Sequence, residues 1–264
     1  MRCRVLFPVI LLLVSAVAAP AARGEGGTPV LAYHRFDPTT PGPTTITTPV
    51  FERQLDWLDA HDIKVMPLRS VVDAVRGGQW PTGTAGPAAA ITVDDGHVSV
   101  YTQLYPIIRR RHVPVTLFIY PSAISNAAYA LTWEQLAEMV RSGLVDVQSH
   151  TYWHPNFRKE RARRTPDDYR IFVNSQLVRS KAALEQHLGI KVDLLAWPFG
   201  IIDADLQAAA QRAGYRAAFA YEGGWAAPGG PLYAIPRIPV SNHDRDAAFA
   251  ALLTPAPAKK GQPR

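Results

Sequence analysis

The 264-residue chain has a single cysteine, Cys3, and only three methionines. One thiol cannot form an intrachain disulfide or a Cys-x-x-Cys metal site. Long apolar runs are lacking too, and the stretch from Val5 to Val14 is too short to span a bilayer. It follows Arg2 and Arg4 and leads to the small residues Ala16-Val17-Ala18, which is the make-up of a secretory signal peptide, assigned to residues 1–24. Cys3 then leaves with the leader, taking disulfide and thiolate chemistry with it. The expected location is secreted or periplasmic, with no stable membrane insertion after cleavage. Neither sign of charge dominates: 28 basic residues against 22 acidic give a formal net charge of +6. The clusters Arg109-Arg110-Arg111 and Arg158 to Arg164 read as solvated helix ends and a loop. They have no interleaved aromatics, so no nucleic-acid partner is expected.

No repeat or low-complexity linker interrupts the rest. Residues 25–254 are expected to form one domain, and the proline-rich residues 255–264 a disordered tail. Short apolar runs alternate with amphipathic stretches, the pattern of βα units. The runs predict strands at 30–33, 63–66, 88–93, 115–119, 145–148, 192–196 and 217–221. Helices are predicted between them, from Pro49 to Ala60, from the capping box Thr132-Trp133-Glu134-Gln135 to before Gly143, and from Asp205 to Ala213. The longest should run from Pro166, capped by Thr165, to Leu188, with Gly189 as its stop and Ile171, Leu177, Ala182, Leu184 and Leu188 as its buried stripe.

On this map the reactive residues fall at strand C-terminal ends. Asp94-Asp95-Gly96 closes one apolar run, and His150-Thr151-Tyr152-Trp153-His154 follows another. Either alone has a plain explanation, a turn for the first and a solvated helix face for the second. At the ends of parallel strands, however, they share one rim. One carboxylate and two imidazoles suit a divalent ion with open positions, and the second carboxylate is then free to act as a base on water. The chain thus reads as a metal-dependent hydrolase.

These residues resemble the motifs of the polysaccharide deacetylases of carbohydrate esterase family four, the NodB-homology fold. Thr92-Val93-Asp94-Asp95-Gly96 is similar to the first motif, Ser149 to Pro155 to the second, and Trp197-Pro198-Phe199-Gly200 to the end of the third. Ala32-Tyr33-His34-Arg35-Phe36 resembles the opening of the subgroup that includes poly-β-1,6-N-acetylglucosamine deacetylases. The resemblance implies an α/β fold, a distorted (β/α) barrel with about seven parallel strands, acting as a monomer on an acetylated glycan. It implies one divalent metal ion (Zn, Co, Ni or Fe) held by Asp95, His150 and His154, with Asp94 as base and the backbone N–H of Phe199 as oxyanion donor. His34 is the expected acid, and His243 its rival. Where the family's third motif carries an arginine this chain has Ala196, so Arg237 is expected to pair with Asp94 instead; the alternative is a surface arginine. Trp197, Phe199, Trp153 and Tyr152 are candidates for stacking on sugar, with core packing the alternative for each. Peptidoglycan, chitin oligomers and other acetylated glycans are alternative substrates, and a silent glycan-binding protein is the alternative of another class.

Overall fold

The computed structural model describes residues 27–78 and 87–254, so the leader and the tail lie outside the described residues. The first third of the chain carries β1 (Thr28–Tyr33), β2 (Arg35–Asp37), β3 (Thr45–Thr47), α1 (Thr48–Ala60), β4 (Lys64–Val65) and α2 (Leu68–Gly77). The middle carries β5 (Ala88–Asp95), α3 (Tyr105–Arg111), β6 (Val115–Ile119), α4 (Trp133–Arg141), β7 (Val145–Ser149) and α5 (Phe157–Arg161). Then come α6 (Pro166–Leu188), β8 (Leu194–Ala196), α7 (Ala204–Arg212), β9 (Ala217–Phe219), β10 (Trp225–Ala226), β11 (Ile238–Pro239) and α8 (Ala247–Leu252).

Strands β1, β5, β6, β7, β8 and β9 pair in that order, all parallel. Residues 235–239 link the two ends of this row. Ile235 bridges to Phe219 of β9, and β11 pairs with Leu31 and Ala32 of β1, also in parallel. Counting β11, seven parallel strands make a distorted barrel of the expected class. The Ala88–Val93 run carries almost no polar residues because helices and barrel interior cover both faces of β5. Across the strand starts lies α2. Its Leu68, Val71, Val72 and Val75 pack in one cluster with Val30, Ala90, Phe118, Leu194 and Phe219, and Arg69 reaches Asp146 and Asp193 at the starts of β7 and β8. That end is plugged, so the strand C-terminal ends are where a cleft can open.

Local sequence accounts for the helix ends. Thr132 and Gln135 form the reciprocal capping box of α4, while the Thr165 hydroxyl accepts from the Asp168 N–H to start α6 and Gly189 ends it at φ 63°. The α6 stripe differs from expectation. Its buried face is Tyr169, Val173, Gln176, Leu177, Ser180 and Leu184, whereas Ile171 is 69% exposed and Ala182 is exposed. An apolar-only count misplaces this face because two of its positions are polar. Ser180 Oγ lies 2.8 Å from Ser149 Oγ, and Gln176 Oε1 accepts from the Trp153 N–H, so both hold the turn that carries the histidines. The arginine clusters are mostly ion-paired: Arg110 with Glu52, Arg111 with Asp56 and Asp59, Arg161 with Asp203 and Asp205. No described helix is long and apolar enough to cross a membrane.

Candidate metal centre and its surroundings

Asp94 and Asp95 end β5 and His150 directly follows β7. Asp95 leaves the strand at φ 76° and Gly96 continues at φ 80°, where a Cβ would stand 2.9 Å from Ile119 Cδ1. A side chain at that φ is strained and would displace the Ile119 tip, so glycine suits the sharp turn. The two histidines are not on a helix. Thr151 at φ 66° and His154 at φ 61° curl the chain so that the imidazole centroids come within 4.6 Å. Half of the described non-glycine residues with positive φ, namely Asp95, Thr151, His154 and Phe199, crowd this rim. Backbone strain of that kind persists where surrounding contacts over-determine it.

Nε2 of His150 and Nε2 of His154 each lie 3.7 Å from Asp95 Oδ1. One ligand atom from each of the three residues falls within 4.8 Å of the others. The spacing is too long for hydrogen bonds, so these atoms face one another across a gap. His150 Nδ1 lies 2.8 Å from the Ala196 carbonyl, which can only accept, so Nδ1 carries a proton and Nε2 is turned toward Asp95. Burial, then the neighbouring His150, holds the His154 imidazole down to about 4, which keeps it neutral. Two imidazoles and a carboxylate converging on a gap fit a divalent cation of the zinc, cobalt, nickel or iron type.

Asp94 borders the same gap, its Oδ2 3.8 Å from His150 Nε2, and is held from the barrel side. Arg237 Nη1 and Nη2 each donate to one of its oxygens at 2.7 Å. Arg237 also donates from Nε to the Ala220 carbonyl and from Nη1 to Thr92 Oγ1. The guanidinium is 0% exposed and the Asp94 carboxylate 2%, so the pair is fully desolvated. Burial pushes the Asp94 carboxyl up, but the charge of Arg237, with His150 and the hydrogen bonds behind it, outweighs that and leaves it well below the usual carboxylate range. His34, at the end of β1, is half-buried with its ring edge-on to Tyr221 at 5.5 Å. Burial lowers its pKa against the opposing pull of Asp94 and Asp95. His243 is exposed, on the loop before α8.

A profile of the polysaccharide deacetylases matches residues 82–218, more than half of the chain. The chain belongs to the polysaccharide deacetylase family. The poly-β-1,6-N-acetyl-D-glucosamine N-deacetylase of Staphylococcus epidermidis is 27% identical over 213 residues, 79% of this chain and 71% of the relative. Its counterpart in Staphylococcus aureus is 26% identical over 207 residues, 77% of this chain and 69% of the relative. Among solved structures, IcaB of Ammonifex degensii superposes with a TM-score of 0.75 at 26% identity, covering 86% of this chain and 97% of that one. The Streptococcus pyogenes deacetylase PplD, solved with acetate, reaches 0.76 at 20% identity, over 87% and 99%, a likeness of fold. Asp94, Asp95, His150 and His154 fall inside the matched stretch. His34 and Arg237 fall outside it.

The remaining residues expected at this deacetylase's site divide. Phe199, at φ 57° on the turn after β8, is 60% exposed with its ring 4.6 Å from that of His154. Trp197 requires correction as a sugar-stacking surface. It is 0% exposed, donating from Nε1 to the Tyr233 carbonyl and packing edge-on to Phe157, because the last residue before the turn still points into the core. Trp153 is partly exposed, and Tyr152 is covered by Arg179. Sequence reasoning missed Tyr120, Tyr129 and Tyr221. Tyr120 directly follows β6 and Tyr221 lies two residues past the end of β9, so their place after rim-directed strands was the available signal.

Proposed function

We propose that this deacetylase removes N-acetyl groups from a β-1,6-linked N-acetylglucosamine polymer outside the cytoplasm, using a divalent metal ion held by Asp95, His150 and His154. The observation that carries the proposal is the meeting of these three donor groups beside a carboxylate already clamped by arginine. The β-1,6 linkage is supported by the names of the staphylococcal relatives. An exported enzyme agrees with the leader-like residues 1–24. When bound, the ion supplies Lewis-acid chemistry, polarising the acetyl carbonyl and making water a stronger acid.

The side chains supply the rest. Asp94, kept ionised by Arg237, takes a proton from the attacking water as oxygen bonds to the acetyl carbon. The Phe199 N–H donates to the carbonyl oxygen as it gains negative charge. His34 gives its proton to the amide nitrogen as the C–N bond breaks, so that the products are acetate and a free amine. A rim position within the fields of Asp94 and Asp95 supports His34 over the exposed His243.

Acetate release from purified β-1,6-linked polymer, chitin oligomers and peptidoglycan tests this directly, with and without a chelator. We expect chelator-sensitive release from the β-1,6 polymer. Asp94→Asn should retain bound metal and lose at least 100-fold in rate. No chelator-sensitive release from any of the three would instead mark a glycan-binding protein, and an active Asp94→Asn would remove the base.

A further inference from the structure

The loop after β6 builds one wall of the cleft and is held by both turns of the candidate site. The Ser122 N–H donates to the Tyr152 carbonyl, between the two histidines. At the loop's other end the Val98 N–H donates to the Tyr129 carbonyl and the Leu131 N–H to the Gly96 carbonyl, just past the two aspartates. A loop tied to both turns cannot shift without moving them. It places two phenols side by side. Tyr120 Oη and Tyr129 Oη are 3.0 Å apart at the surface, and the Tyr120 ring lies 5.5 Å from that of His154. Tyr129 is 46% exposed, and its ring lies parallel to His97, whose Nδ1 is in turn fixed by Ser99 Oγ at 2.8 Å.

Large exposed tyrosines are not held like this by packing alone. In a pair of phenols one hydroxyl donates to the other, which leaves one O–H and several lone pairs directed outward. These are uncharged donors and acceptors, with an aromatic face beside them, next to the position where the acetamido group must sit. On N-acetylglucosamine the hydroxyl flanking that group is the one at C3, and it is free in both β-1,6 and β-1,4 linkages. We propose that the Tyr120–Tyr129 hydroxyl pair recognises this sugar hydroxyl and so positions the residue being deacetylated. The inference rests on the deacetylase assignment above and on its site, but not on the linkage.

The test is steady-state kinetics of wild type, Tyr120→Phe and Tyr129→Phe on whichever of the β-1,6 and β-1,4 oligomers the wild type hydrolyses. Metal content and thermal midpoint are measured alongside. Loss of a hydrogen bond made equally in ground and transition states should raise KM about tenfold with kcat within about threefold. Metal content and midpoint should stay at wild-type values. Unchanged KM in both variants overturns the inference. So does a fall in activity that tracks lost metal or lost stability, which is what a merely structural pair would give. A wild type inert on the β-1,6 oligomer but active on the β-1,4 one refutes the proposed substrate and leaves the tyrosine test to be run. Inactivity on both refutes both.

Discussion

Replacing Arg237 with leucine asks the most of the proposed chemistry, because the residue is far from Asp94 in sequence and sits just before β11, in the segment that joins the barrel's ends. The ion pair is bidentate, with both bonds at 2.7 Å and neither partner meaningfully exposed. At an effective dielectric constant of 20 and about 4 Å between charge centres, the attraction is roughly 4 kcal/mol. Breaking a buried pair from one side typically costs 3–5 kcal/mol. Much of that cost is escaped by protonating the stranded carboxyl, since burial alone raises its pKa. At about 1.4 kcal/mol per pKa unit, the Asp94 pKa should climb by roughly 2–4 units. An aspartate that stays ionised down to low pH would thus titrate in or just above the ordinary carboxylate range. The acid limb of the kcat/KM profile should move upward by about that amount, so the loss of activity should grow as pH falls below about 5 and be small at pH 7. Arg237→Lys, which keeps the charge but loses the fork, should recover part of the shift. The assay is acetate release between pH 3.5 and 8, with circular dichroism to confirm folding at each pH. A folded Arg237→Leu enzyme whose acid limb stays where the wild type has it would refute the pairing as the reason Asp94 can act as base.

Two further outcomes follow from the same geometry. In metal-free protein the His154 pKa is about 4, and that of His34 is also lowered, against about 6.5 for an unfolded imidazole. Folded values below unfolded ones mean that the stability from these neutral histidines is complete above pH 6.5. It is lost as pH falls toward 4, by roughly 2–3 kcal/mol from His154. Urea midpoints in chelator at pH 7, 5.5 and 4.5 should show the decline, with a shallower slope for His154→Gln; equal slopes would remove the histidine as its source. Gly96→Ala puts a Cβ at φ 80° against Ile119 and should cost about 1–3 kcal/mol while weakening metal binding through Asp95. Wild-type stability and metal affinity in that variant would show that the turn is not fixed by this contact.

The sequence was most legible where a local rule decides. Thr132 with Gln135, Thr165 and Gly189 mark helix ends that the structure reproduces, and the apolar runs become strands to within about two residues. Convergence of Asp94, Asp95, His150 and His154 followed from the parallel strand order alone. Illegible features depend on contacts across the chain. The Arg35–Asp37 strand pairs in parallel with Thr45–Thr47 across a stretch rich in proline and threonine that reads as plain loop. The Arg237–Asp94 pairing was expected from the arginine missing at Ala196, but the path that makes it, residues 235–239 joining β9 to β1, was not. Trp197 was misjudged since adjacency to a motif says nothing of which way a side chain turns. The loop turn at His150 to His154 was equally hidden, because an i, i+4 spacing is also what a helix face would show.

The order of the two aspartates matters more than their proximity. Neighbouring residues on a strand point to opposite faces, so two carboxylates in succession would normally serve different sides of a sheet. Here Asp94 keeps the strand geometry and is held from the barrel side, where Arg237 occupies both of its oxygens. Asp95 leaves the strand at φ 76° and brings its carboxylate round to the two imidazoles instead. Two like charges this close would ordinarily force one carboxyl toward its neutral form. Arg237 balances the charge of Asp94, so Asp95 is the one formal negative charge that the three donor groups offer a cation. A doubly charged ion with one anionic and two neutral ligands keeps most of its polarising power.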